Sequence, residues 1–180
     1  MSIRSEINRL ICAGKLFRLE PRNRKDPRRR TVLMSEEIHE LAEGPWPEGD
    51  MGDRCAFLRN DLEAFVTQEF ITVCWEPYEA HDEQIGRLYA DEVWDLRCQE
   101  PSPGFRVFCR FIEKDILLAT NCSPRSVVVP WFNKLPLLAQ DSVHWKIAIA
   151  ECQAIWSILL PKHPPHSGKT AHDYISNAVL

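Results

Sequence analysis

The chain has 180 residues, 44% of them hydrophobic with six Trp and eight Phe, enough to bury a substantial core, so a wholly disordered polymer is excluded. Charged residues make up 27%, no apolar run of 18 or more is free of them, and the first twenty residues lack the unbroken apolar stretch of a secretory signal; no membrane span is expected and the chain is placed in the cytosol. The net charge of -4 divides unevenly, with +7 in residues 1–31 and -11 in the rest, a basic head on an acidic body.

Ser2 is placed to cap a short helix whose apolar positions Ile3, Ile7, Leu10 and Ile11 recur at helical spacing and which Gly14 ends. With it, residues 1–31 form a basic amphipathic arm. Its densest cations are Arg22, Arg24, Lys25, Arg28, Arg29 and Arg30, and Pro21 and Pro27 interrupt any helix there, so these six belong to an extended segment. Such an arm suits nucleic acid, because each cation that displaces a condensed counterion from a phosphate gains binding entropy. Resting on the acidic body, or simple solvation, are the competing uses.

Thr31 to Met34 predicts a short strand, Ser35 to Ala42 a helix capped by Ser35, and Gly44 to Gly52, with two Pro and three Gly, a loop. From Asp53 to about Gln68, Cys55, Leu58, Leu62, Phe65 and Val66 fall on one helical stripe while Arg59, Asp61 and Glu63 look outward. Phe70 to Trp75, β-branched and aromatic and closed by Pro77, predicts a strand, with an acidic connector over 76–84.

Three strand-like runs follow with short turns between them: Glu92–Cys98 (EVWDLRC), Phe105–Ile112 (FRVFCRFI) and Ile116–Cys122 (ILLATNC), an antiparallel meander. Alternation puts Trp94, Leu96 and Cys98 on one face with Phe105, Val107, Cys109 and Phe111, the core face. The other face carries Val93, Asp95 and Arg97 beside Arg106, Phe108 and Arg110. Symmetric pairing about the loop sets Arg97 opposite Arg106, a like-charge contact tolerable where water or an anionic ligand shares the site.

Residues 123–136 are punctuated by proline, with Val127 to Val129 read as an edge strand. Residues 142–160 predict a buried helix, apolar on nearly all sides, capped by Asp141 or Ser142 and stopped by Pro161; residues 161–180 read as a polar tail with a short apolar end. The fold class expected is α+β: a single domain over 32–160 whose antiparallel sheet of three to five strands, with the meander at about 92–122, packs against helices at about 53–68 and 142–160.

Arg106, Phe108 and Arg110 set two guanidiniums about one ring, a combination able to hold phosphates and stack a base. Pairing with Asp95, Glu113 or other carboxylates is equally open. Arg125 adds a third cation at the same end if the chain turns back there, and is otherwise solvated. The seven Cys include no CxxC pair, and His163, His166 and His172 lack metal-ligand spacing; His144 reads as a core or boundary residue. There is no GxGxxG, Walker loop, GxSxG or HExxH, which disfavours dinucleotide enzymes, P-loop hydrolases, esterases and zincins, and neither metal nor cofactor is expected.

The order helix, EVWDLR, FRVFCRF, DILLATNC, basic residue, helix resembles the RelE/ParE superfamily of toxins, its HigB-like branch above all, in which a "W-E-L-R" strand precedes a "Y-R-V-F-Y" strand and a third strand ends in a short basic element. The likeness covers about 40 residues, 87–126, and extends less closely to the helix at 53–68. It implies a small α+β domain and, in many members, a ribosome-dependent ribonuclease whose sheet-face cations hold the RNA backbone while the 2′-hydroxyl attacks the neighbouring phosphate. Arg97 matches the Arg of "W-E-L-R", Arg106 the Arg of "Y-R-V-F", and Arg125 approximately the terminal basic residue. Family members commonly carry a Lys-Lys or Lys-Arg pair where this chain has Ser123-Pro124-Arg125-Ser126, and Phe105 stands before Arg106 without a hydroxyl.

The first expectation is therefore a cytosolic RelE/HigB-like toxin-type protein, an mRNA endoribonuclease with an antitoxin protein as partner and RNA or the ribosome as target. Arg97 and Arg106 would grip phosphate, Phe108 and Arg110 would bind the substrate, and Arg125 would stabilise charge developing at the scissile phosphorus. No general base is evident, so catalysis would rest on positioning and electrostatics. The competing expectations are a non-catalytic interaction or nucleic-acid-binding module and an accessory protein of a phage or mobile element. The sequence sets no oligomeric state.

Overall fold

A computed structural model describes residues 2–77, 83–88, 91–125 and 143–180. Within them the elements run α1 (Ile3–Cys12), β1 (Phe17–Arg18), β2 (Thr31–Met34), α2 (Glu36–Glu43), α3 (Asp50–Thr67), β3 (Ile71–Cys74), β4 (Ile85–Arg87), β5 (Trp94–Cys98), β6 (Phe105–Glu113), β7 (Ile116–Pro124), α4 (Val143–Leu159), α5 (Ala171–Tyr174) and β8 (Ala178–Val179). The fold is α+β. No helix among the described residues is long and apolar enough to cross a membrane.

The meander is present: β5, β6 and β7 pair antiparallel in sequence order. It sits at the centre of a larger, mixed sheet of eight strands in the order β1-β2-β7-β6-β5-β4-β3-β8, in place of the three to five antiparallel strands expected. Three of its pairings, β2 with β7, β3 with β4 and β3 with β8, are parallel. Strands of two or three residues, such as β1, β4 and β8, are too short to show a period-two pattern, so they leave little trace in the sequence.

The sheet is covered on both faces. On one, Val32, Leu96, Val107 and Phe111 meet Ile38 of α2 and Leu58, Leu62 and Phe65 of α3 in the main core. On the other, α1 packs Ile7 and Leu10 with Leu33, Ile112 and Leu118, while α4 sets Trp145, Ala148, Ile149 and Cys152 over Val93 and Phe108. The N-terminal segment is thus part of the body: Ser2 caps α1 by accepting from Ser5 N, and Phe17 and Arg18 pair with Met34 and Leu33 in a hairpin.

Three expectations are corrected. Arg59 does not look outward but is buried, its Nε 3.2 Å from Glu43 and its Nη1 3.0 Å from Glu63, because two carboxylates and the Glu20 carbonyl supply partners for its donors. The helix over 142–160 is buried on one side only: Val143, Ile147 and Ile158 are 69%, 58% and 77% exposed, since α4 is a cover layer with a single sheet beneath it. Residues 161–180 do not trail away as a polar tail, for Ala171, Tyr174, Ile175 and Ala178 enter the main core, and Ala178 pairs with Ile71. The edge strand expected at 127–129 and the caps at 141 and 142 lie outside the described residues.

Candidate functional site

The β5–β6 connection fixes the register of the sheet-face cations. Gly104 stands at φ +58, where a Cβ would lie 2.1 Å from the Cys98 carbonyl oxygen, so only glycine closes this turn. The closure sets Arg97 directly opposite Arg106, as symmetric pairing predicts. Arg125 N donates to Gly104 O at 3.0 Å, which brings the end of β7 to the same end of the sheet.

Both facing guanidiniums turn to one carboxylate. Asp95 Oδ2 lies 2.5 Å from Arg106 Nη1 and 3.4 Å from Arg97 Nε, and the three side chains are 1%, 9% and 7% exposed. Glu83 approaches Arg97 at 3.8 Å. Burial pulls the Arg106 guanidinium below its usual range, Asp95 raises it again, and the like charges of Arg97 and Arg125 lower it. Gly86, the register partner of Asp95 on β4, makes room: a Cβ there would sit 2.7 Å from Arg97 Nη2 and 2.9 Å from Asp95 Oδ1. Asp95 Oδ1 and Arg106 Nε have no hydrogen-bond partner among the described residues.

Further along β6, Phe108 is fully buried beneath Trp145, ring centroids 5.4 Å apart, so its faces are not open to a base. Arg110 is 4% exposed; its Nη2 donates to Asp91 O at 2.6 Å and its Cζ lies 5.2 Å from the Trp156 ring. Asn121, opposite Phe108, donates from Nδ2 to Ala148 O at 3.0 Å and Glu151 Oε2 at 3.2 Å, tying α4 down over this face. The structure therefore brings Arg97, Arg106 and Arg125 to one end of the sheet and seals Phe108 and Arg110 under a helix.

The six cations of the N-terminal segment separate by environment. Arg30 is 4% exposed and spends Nη1 on Phe65 O and Gln68 O, at 3.3 and 2.8 Å, and Nη2 on Glu69 O and Ser176 O, at 3.1 and 2.5 Å, serving carbonyls at the end of α3. Arg22 donates to Asn60 and lies over Trp46, Arg28 pairs with Glu20, and Arg29 stands 3.8 Å from Glu69. Arg24 and Lys25, in a turn held by Asn23 and Asp26, are exposed and make no ion pair among the described residues; neither does exposed Arg18 on β1. Gly86 and Arg18 are residues that the sequence did not place in a site, whereas Asp95 entered there as one of several carboxylates open to the sheet-face arginines, the pairing found here. A polar residue between two apolar ones on β5 was the signal for Asp95.

No family model, curated protein or solved structure matches the chain.

The chemistry open to the site follows from its groups alone. Among the described residues no cluster of His, Cys, Asp and Glu is able to hold a metal ion. All seven cysteines are free, and burial pushes Cys98 and Cys109 well above the usual thiol range and Cys152 up to about 11, so none of these three is a thiolate at neutral pH. What the cations offer is electrostatic: they hold or stabilise anionic oxygen, without a proton to exchange near neutrality.

Proposed function

We propose that the protein is a non-catalytic module of RelE/HigB-like build that binds the phosphate backbone of single-stranded RNA through the exposed cations of its N-terminal hairpin. One contrast supports this. Arg18, Arg24 and Lys25 are exposed and unpaired among the described residues, whereas Arg97, Arg106 and Arg110 lie buried against Asp95 and Asp91. Exposed cations exchange condensed counterions for phosphate, while a buried ion pair must first be broken. Such binding reads charge spacing and not base sequence, and places the protein with RNA in the cytosol. Anisotropy of a labelled RNA strand between 50 and 200 mM salt tests it. Each phosphate neutralised adds a slope of about -0.7 in log affinity against log salt. Arg24→Glu with Lys25→Glu is expected to weaken binding at least tenfold and flatten that slope; unchanged affinity and slope would overturn the proposal.

A second function, favoured by the Arg97–Arg106 register and the approach of Arg125, is a ribosome-dependent mRNA endoribonuclease with an antitoxin partner. Here Arg97 and Arg106 exchange Asp95 for the substrate phosphate and Arg125 stabilises the developing charge. Induced expression then arrests growth and Arg106→Ala relieves the arrest. Normal growth at high expression argues against cleavage.

A further inference from the structure

The opposite end of β6 holds a second collection of cations, built as a cavity. About 260 Å³ in volume, it is lined by Arg18 of β1, Arg28, Arg29 and Arg30 of the hairpin loop, Thr31, and Asp115 in the turn after β6. A neighbouring cavity of about 200 Å³ shares Arg18 and Thr31 and adds Arg4 from α1. Seven residues of β6, roughly 23 Å of extended chain, separate this place from Arg106. The larger volume exceeds the roughly 30 Å³ share of one water severalfold and has room for a tetrahedral oxyanion.

Four guanidiniums face one carboxylate on these walls, and that carboxylate is already engaged: Asp115 accepts from Ser176 N at 2.8 Å and from Ser176 Oγ at 2.6 Å. Arg30 Nε lies 3.5 Å from Asp115 Oδ1 yet makes no hydrogen bond among the described residues, although its side chain is 1% exposed. Both other guanidinium nitrogens of Arg30 are committed to carbonyls, so its position is rigid. Among the described residues, Arg28 and Arg29 are held by exposed pairs with Glu20 and Glu69, weak contacts that a better acceptor displaces. Arg18 has no ion pair among the described residues. Burial draws the Arg30 guanidinium below its usual range, Asp115 raises it, and the like charge of Arg29 lowers it. An anion in the cavity would relieve that repulsion.

We propose that this cavity is a phosphate site, with Arg30 and Thr31 as its fixed wall and Arg18 and Arg29 as the movable guanidiniums that close on the phosphate oxygens. Guanidinium presents paired donors at a spacing that matches phosphate, which a lysine ammonium does not, and every cation of the lining is an arginine. The phosphate is free or carried by an oligonucleotide. The proposal deepens the RNA-binding function in the second case and is independent of it in the first.

The test titrates the full chain with inorganic phosphate at constant ionic strength, followed by backbone amide NMR. Saturable shifts at residues 18, 28–31 and 115 are expected. Arg18→Gln with Arg29→Gln should weaken phosphate at least tenfold, and the Arg18→Lys, Arg29→Lys version, which keeps the charge, should retain part of the affinity. A urea midpoint for each variant establishes that it is folded. Absence of a saturable response in the unaltered chain, or a response that survives the Gln pair, overturns the site. An RNA strand added in the same series separates the sources through Arg29→Gln alone, which leaves Arg18, Arg24 and Lys25 in place: weakening of RNA assigns the phosphate to polynucleotide, and no change assigns it to the free anion. If RNA fails to bind while phosphate saturates, the RNA-binding function falls and the site stands. If RNA answers only to Arg24→Glu with Lys25→Glu and phosphate does not saturate, the reverse holds.

Discussion

Arg97 on β5 and Arg106 on β6 face each other across the ladder, and both close on the single carboxylate of Asp95, two residues before Arg97 on the same face. Like charges directly opposite on a sheet repel, so the pairing persists because a buried anion lies between them. The anion that the sequence invited as a ligand is supplied by the protein. Asp95→Asn keeps the shape and removes the charge, leaving the Arg106 guanidinium in low dielectric without its carboxylate while Arg97 keeps Glu83 nearby. It is expected to cost about 3–5 kcal/mol. Adding Arg106→Met should restore part of the loss. Urea denaturation of the two single variants and the double closes the cycle, and a loss below about 1 kcal/mol for Asp95→Asn would mean that water already screens the pair.

A second, half-buried carboxylate works the other way. Burial on α3 raises Asp61 from 3.8 to about 6, against which a hydrogen bond from the Cys98 thiol acts only partly. Its folded-state pKa lies above the unfolded one, so its contribution is fully present below about pH 4 and is lost as pH rises through about 6. Asp61→Asn removes that dependence. Relative to the unaltered chain it should gain stability from pH 6 upward, by at most about 3 kcal/mol on the conversion of 1.36 kcal/mol per pKa unit, and gain little at pH 4. Stability against urea at pH 4, 5, 6, 7 and 8 measures this, and a gain of equal size at every pH would refute it.

These two carboxylates show where the sequence was legible. The β5–β7 meander, its core face and the Arg97–Arg106 register follow from alternation and one turn, local facts that a strand writes into consecutive residues. What covers the other face is a long-range matter. Phe108 and Arg110 read as an exposed stacking surface because nothing in FRVFCRF announces that Trp145 and Trp156, more than thirty residues on, lie over them. Arg59 likewise sits on the outward stripe of its helix and is claimed by Glu43 and the Glu20 carbonyl from elsewhere in the chain. Charge in a sequence states how many cations there are, and only packing decides which of them meet water.

Arg30 carries this furthest. Its guanidinium serves four carbonyls, three of them from Phe65, Gln68 and Glu69 at the C-terminal end of α3, and also meets Asp115. Arg30→Lys preserves charge but offers three donors from one nitrogen, which cannot span carbonyls on two segments. A loss of about 2–4 kcal/mol is expected, and amide exchange should quicken first at residues 176 and 178. Arg24→Ala, exposed in the hairpin turn, should change stability by less than about 0.5 kcal/mol. Similar losses for the two variants would show that Arg30 does not hold the end of α3.

The C-terminal segment is anchored by one phenol. Tyr174, fully buried, donates its hydroxyl to Glu92 and accepts from Gly168 N at 2.7 Å, while its ring packs on Trp94 at 4.8 Å and Phe111 at 5.4 Å. Burial and the Glu92 hydrogen bond push its pKa up to about 12, so it stays a neutral donor across the physiological range. Glu92 holds a left-handed backbone, φ 60, and keeps a weak ion pair to Arg87 at 3.6 Å. Tyr174→Phe leaves the ring contacts intact and strips a partner from both Gly168 N and Glu92, for a loss of about 1–3 kcal/mol. Tyr174→Ala adds a cavity where Trp94 and Phe111 meet, and should cost about 3–5 kcal/mol. The order Ala well below Phe, itself below the unaltered chain, in urea midpoints is the outcome expected of an anchor. Equal midpoints for the Phe variant and the unaltered chain would show that the hydroxyl contributes nothing and that the aromatic ring alone holds residues 171–175 in the core.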